Sequence, residues 1–186
     1  PDMGMTADSP SVAAVVILDK DGVRIAGSYF EEQFRTLAMQ QAFEKDIFKA
    51  STRQPADGEA NIFMCKGLVV LYRSQDETTF YVVGSDDENE VILAHVLEAL
   101  VDACRKLVSG RLSTLNMMNA LEYVMLALDE LVDGGTILEI EGGAIAARVS
   151  MKSTTSDVPL HEQTPGQAFS SIKEQLQRQF KLPSTG

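Results

Sequence analysis

Seven consecutive apolar residues, Val12 to Leu18 (VAAVVIL), constrain this chain more than any other feature. A strand with one wet face alternates apolar and polar residues. An unbroken apolar run is covered on both faces. The run therefore reads as a central strand, with further layers on either side. Asp19-Lys20-Asp21-Gly22 follows and is turn chemistry, with Gly supplying a positive φ. Val23 to Phe30 is then the return strand of a hairpin.

The remaining elements follow from periodicity and punctuation. Phe34, Leu37, Phe43, Ile47 and Phe48 mark a helix over Phe34 to Ala50, and Pro55 lies in the loop after it. Three short strands come next: Ala60 to Cys65, Leu68 to Arg73 and Thr79 to Gly84. A long helix places Leu93, Val96, Leu97, Leu100, Val101, Cys104, Leu107 and Val108 on one face. A second does so with Met118, Leu121, Val124, Met125, Leu128, Leu131 and Val132, and ends at Gly134-Gly135 in a helix C-cap. Ala144 to Val149 fits a final helical turn or a strand. The fold class is α/β of the α+β kind. It is a five-stranded antiparallel sheet with one helix on one face and two or more on the other. The expected domain limits are a flexible amino terminus over 1–11, the folded domain over 12–150, a Ser- and Thr-rich linker over 151–164, and a tail over 165–186. In the tail, Phe169, Ile172, Leu176 and Phe180 share one face of an amphipathic helix.

Charge and cysteine usage narrow the function. A formal net charge of -11 argues against nucleic-acid binding, which needs Lys and Arg to displace counterions. It argues equally against direct docking on anionic lipid, and permits a basic protein partner. The first residues carry no basic start and no apolar run, so no signal peptide is expected. The apolar stretches fall short of a membrane span. Cys65 and Cys104 lie inside apolar segments, without CxxC spacing. A cytosolic, reduced setting is the expectation.

Each possible chemical site has a simpler reading. Asp19 and Asp21 begin like a calcium loop, but the sixth position is Arg24 and the twelfth Phe30, where Gly and Glu are needed. Asp86, Asp87, Glu88 and Glu90 cluster where carboxylates favour a helix start. His95 and His161 have no metal-ligand spacing. Gly134-Gly135 and Gly142-Gly143 lack the spacing of a phosphate loop. No catalytic residue, cofactor or metal is expected.

Five stretches carry a resemblance: ILDKDG, AFEKDIF, YVVGSDDENE, LALDELVDGG and VPLHEQT, in that order. The chain resembles the zeta subunits of coatomer, the COPI vesicle coat, over most of residues 12–165. More distantly it resembles the sigma small chains of clathrin adaptors. The resemblance implies a longin-like fold and a cytosolic coat subunit, placed on the cytosolic face of Golgi membranes and COPI vesicles. It implies direct pairing with the helical solenoid of the gamma subunit, contact with other coatomer subunits, and recruitment through an Arf-family GTPase. The alternative is a sigma-type chain that binds dileucine sorting signals. In sigma chains that site corresponds to roughly Val101 to Leu115 here, including Cys104, Leu107, Val108 and Leu112, but the sequence departs from sigma chains there, with Arg111 in the loop, so no cargo site is carried over. For a partner interface the candidates are Val91 and Ile92 on the first long helix and Tyr123 and Leu126 on the second. All four lie off the apolar stripes.

Overall fold

The structure, a computed structural model, describes residues 11–53 and 59–155. Five strands form one antiparallel sheet: β1 (Ala14–Asp19), β2 (Arg24–Tyr29), β3 (Asn61–Cys65), β4 (Leu68–Gln75) and β5 (Thr78–Ser85). Their order is β2-β1-β5-β4-β3, so β1 is internal and β2 and β3 are the edges. Every residue of β1 is buried: the apolar run Ala14 to Leu18 requires cover on both faces, and Asp19 at its end is a buried polar residue. Alternate side chains of one strand feed two cores.

On one face lies α1 (Leu37–Ser51), preceded by a 3-10 turn at Glu32–Phe34. Its Phe43 and Ile47 pack with Phe34 against Ala14, Val16, Leu18, Val70, Tyr72, Tyr81 and Val83. On the other face lie α2 (Glu90–Leu107), α3 (Thr114–Asn119), α4 (Leu121–Leu131) and α5 (Gly142–Thr155). Their buried residues close over Val15, Ile17, Val69, Leu71, Phe80 and Val82. Each aliphatic or aromatic side chain buried this way contributes roughly 1.5–3 kcal/mol relative to exposure. The two-sided cover of the sheet is therefore what holds the layers together.

Several expectations need correction. Leu37 is exposed, and the helix containing it starts only at that residue, with Thr36 as N-cap. The second long helix is two helices, separated at Ala120. Its buried face carries Met117, Ala120, Val124, Ala127, Leu128 and Leu131, while Met118 and Met125 are exposed. Alanines take part in the buried stripe, which is turned by about one residue from the one marked by the larger apolar side chains. Gly134 and Gly135 do not cap a helix. They form the turn of a two-stranded hairpin, β6 (Val132–Asp133) and β7 (Thr136–Ile137), with φ of 54° and 87°. Two positive φ values are what a two-residue hairpin turn demands.

Ala144 to Val149 is helical, inside α5, and Ile145 and Val149 join the helical-layer core. The linker expected from residue 151 therefore begins within a helix, and the rest of it and the 165–186 tail lie outside the described residues. Ser11, placed in the flexible amino terminus, bridges Thr136, and its N–H and hydroxyl both donate to Glu88. Residues 1–10 lie outside the described residues.

Candidate partner-docking surface

The polar groups singled out for chemistry serve local structure. Asp19 Oδ1 accepts the N–H groups of Asp21 and Val23, each at 2.9 Å, which closes the β1–β2 turn. At the start of α2 the capping residue is Asn89, whose Oδ1 accepts the Val91 N–H at 2.9 Å. Asp87 accepts the Ser85 hydroxyl, which holds its carboxyl below the usual range. Glu88 takes both donors of Ser11. Among the described residues no three His, Cys, Asp or Glu side chains are grouped to hold a metal ion. Burial pushes the Cys104 thiol up to about 12, and burial also raises Cys65. Neither is a ready thiolate.

Among the described residues an ionic cluster lies on the α1 side. Glu44 accepts from Arg24 Nε at 2.5 Å and from the Tyr29 hydroxyl, and the guanidinium lies 5.2 Å from the centre of the Tyr29 ring. Burial, and then the Glu44 carboxylate, hold the Tyr29 phenol well above its ordinary range. A proton this firmly held suits a fixed hydrogen bond, not transfer. The cluster ties α1 to the edge strand β2. Gly22, Val23, Leu37, Gln41 and Lys45 line a shallow hollow of about 380 Å³ beside it.

The four expected docking residues do not form one patch. Val91 is 63% exposed at the start of α2, and Ile92 beside it is half-buried. Tyr123 is exposed on α4 and lines a hollow of about 220 Å³ with Leu107, Ser109, Asn116 and Asn119. Leu107 ends α2, so Val91 and this hollow are about 24 Å apart along the helix. Leu126 is half-buried and packs against the helical core, so it is not the open surface residue expected. Sequence reasoning missed Ile62 and Met64 on β3, Leu115 and Met118 on α3, and Met125 on α4, all exposed. In β3 the sequence NIFMC lacks the polar alternation of a strand with a solvated face, so by itself it points to burial and not to the exposure observed.

Of the residues aligned with a sorting-signal site, Val101, Cys104, Val108 and Leu112 are all buried and Leu107 is half-buried. They fill the core under the end of α2.

Residues 11–156 match the model of the clathrin adaptor complex small chain family. Coatomer subunit zeta-1 of Oryza sativa subsp. japonica is 37% identical over 173 residues, covering 93% of this chain and 98% of that protein. Coatomer subunit zeta-1 of Homo sapiens is 37% identical over 166 residues, covering 89% and 90%. The chain belongs to the coatomer zeta-subunit family. Like its coatomer zeta relatives it is a coat-complex subunit of the adaptor small-chain type. A chain in a homology model of the full-length AP-3 complex, in a stretched open conformation, superposes with a TM-score of 0.63. That match covers 80% of this chain and 99% of the other at 15% identity, and it shows the shared longin-like fold.

Proposed function

We propose that this chain is a structural, non-enzymatic subunit of a COPI-type coat that pairs directly with the coatomer gamma subunit. In this reading it resides in the cytoplasm and reaches the cytosolic face of Golgi membranes only as part of the coat. An Arf-family GTPase recruits the assembled coat, and the chain supports Golgi–ER and intra-Golgi transport. The observation that carries the reading is near full-length similarity to coatomer zeta subunits, at 37% identity. The surface supports it: Tyr123 and Met125 of α4 and Met118 of α3 leave apolar area uncovered on the helical layer. Tyr123 is the residue assigned to gamma. Val91 and Ile92 lie at the far end of α2, and Leu126 packs inward. Affinity purification of the tagged full chain from cytosol, read by mass spectrometry, tests the proposal. Gamma in stoichiometric amount is the expected result. Recovery of adaptor large chains without coatomer subunits would overturn it and favour the sigma-type alternative.

A further inference from the structure

We propose that the open edge of β3 and the groove beside it bind an extended, basic segment of a partner as a sixth strand. This site is separate from the Tyr123 surface and does not depend on pairing with gamma.

The backbone register decides which groups are open. Cys65 and Leu68 flank the two-residue turn Lys66-Gly67, whose φ values are 52° and 78°. A pair flanking such a turn exchanges both backbone hydrogen bonds, and pairs alternate from there. Phe63↔Val70 and Asn61↔Tyr72 are then hydrogen-bonded as well. Ile62 and Met64 thus turn their N–H and C=O groups away from β4. No strand pairs with β3 on that side among the described residues.

The same two residues expose their side chains, Ile62 at 44% and Met64 at 58%. Ile62 stands opposite Leu71, which belongs to the helical-layer core, so both point to the α2 side of the sheet. There Ile62, Leu71, Val91, Ala94 and His95 line a groove of about 280 Å³. Edge strands in soluble proteins are usually protected by an inserted charge, a Pro or a bulge. β3 has none of these within Asn61–Cys65, whereas the other edge, β2, carries Arg24. An added strand would satisfy the open groups of Ile62 and Met64 and turn every second side chain toward the groove that Val91 lines.

Charge selects among possible strands. Glu90 lines the groove and makes no ion pair among the described residues. Lys66, in the β3–β4 turn, is paired with Asp46 of α1 at 2.7 Å. A second copy of this chain would bring two Glu90 side chains and two net charges of -11 together. A segment with alternating apolar residues and flanking Lys or Arg meets both the groove and its carboxylate.

The test uses the full chain and a fluorescent, end-blocked peptide, Lys-Val-Thr-Val-Thr-Val-Lys, with a second peptide carrying Glu in place of Lys. Anisotropy should show saturable binding of the basic peptide, at least about tenfold tighter than the acidic one. Amide exchange at Ile62 and Met64 should slow by about tenfold or more on binding. Met64→Pro removes an outward N–H that β4 does not use, which edge strands tolerate, and should abolish binding. Val91→Lys, at an exposed helix position, should weaken binding about tenfold even if the proline variant fails to fold. The proposal is overturned by absence of binding, by equal binding to Val91→Lys, by protection confined to other residues, or by self-association of the free chain through β3. Loss of gamma binding with peptide binding retained would count against the proposed function alone.

Discussion

The carboxylate of Asp76 accepts the backbone N–H of Leu112 at 2.9 Å, across 36 residues of sequence. The same turn takes the other backbone group: Thr78 Oγ1 and the Glu77 N–H both donate to the Leu112 carbonyl, at 2.8 and 3.3 Å. The β4–β5 turn thereby clamps the loop after α2 and seats the Leu112 side chain in the core. Asp76 itself has φ of 55°, a conformation Asp and Asn tolerate better than most residues. Asp76→Ala should cost about 1–3 kcal/mol, because it adds backbone strain to an unsatisfied, part-buried N–H. Asp76→Asn keeps an acceptor and should cost less. Urea unfolding checks both, and equal stability of the alanine variant and the parent would remove the clamp from the account.

The hairpin turn after α4 offers a second test. A Cβ added at Gly135 would lie 3.1 Å from the Val12 carbonyl oxygen, and its φ is 87°. Gly67 has a similar φ of 78° but open space around it. Both alanine substitutions pay the conformational penalty of roughly 1 kcal/mol. Only Gly135→Ala also crowds the Val12 backbone, whose N–H donates to Gly135. It should therefore lower the melting temperature more than Gly67→Ala. The reverse ranking would show that the close approach is unimportant.

Stability should fall at alkaline pH. Burial raises Tyr81 from 10.0 to about 12, and raises Tyr29 as well, so the native state holds both protons more tightly than the unfolded chain does. Their contribution is intact below pH 10 and is lost as pH climbs toward 12, by roughly 2–3 kcal/mol for Tyr81 alone. Tyr81→Phe removes the titrating group and should flatten the decline between pH 10 and 12. An unchanged slope in that variant would assign the decline elsewhere.

Much of the architecture was legible in the sequence. The run at Val12–Leu18 demanded cover on both faces, and β1 has it. The 3,4-spaced residues from Leu93 to Val108 are all buried except Leu107, which is half-buried. Close approach was harder to read. Gly142-Gly143 was set aside for lacking phosphate-loop spacing, and its packing role was not legible: a Cβ at Gly142 would meet the Asp102 side chain and the Ala99 carbonyl at 2.6–2.7 Å. It is the glycine that lets α5 start against α2. Ala120 and Ala127 were passed over for the same reason. Of the docking residues, Val91 and Tyr123 are exposed as their helix positions indicated. Their separation was not legible, because it depends on which end of α2 meets α3. Ile62 and Met64 were missed because NIFMC reads equally well as a buried strand.

The two thiols should differ in accessibility in the folded state. Cys104 is fully buried and Cys65 only partly so. A disulfide-exchange reagent at pH 8 should label Cys65 slowly and leave Cys104 unmodified until the chain unfolds. Fast labelling of Cys104 in the folded chain would contradict the packing around α2.

Tyr123 gives the most selective probe of the proposed partnership. Its exposure on α4 means Tyr123→Lys should leave the melting temperature of the free chain within about 1–2 °C of the parent. The same change should weaken binding to gamma tenfold or more, about 1.4 kcal/mol. Unchanged affinity would take Tyr123 out of the interface.

The most direct measurement is the melting of the full chain with and without the amino-terminal solenoid of coatomer gamma, alongside titration calorimetry of the pair. A partner that binds only the folded state adds about 2.7 kcal/mol when present at a hundred times its dissociation constant. A one-to-one complex and a melting temperature raised by several degrees are the expected result. No heat of binding, with identical melting at saturating gamma, would contradict it.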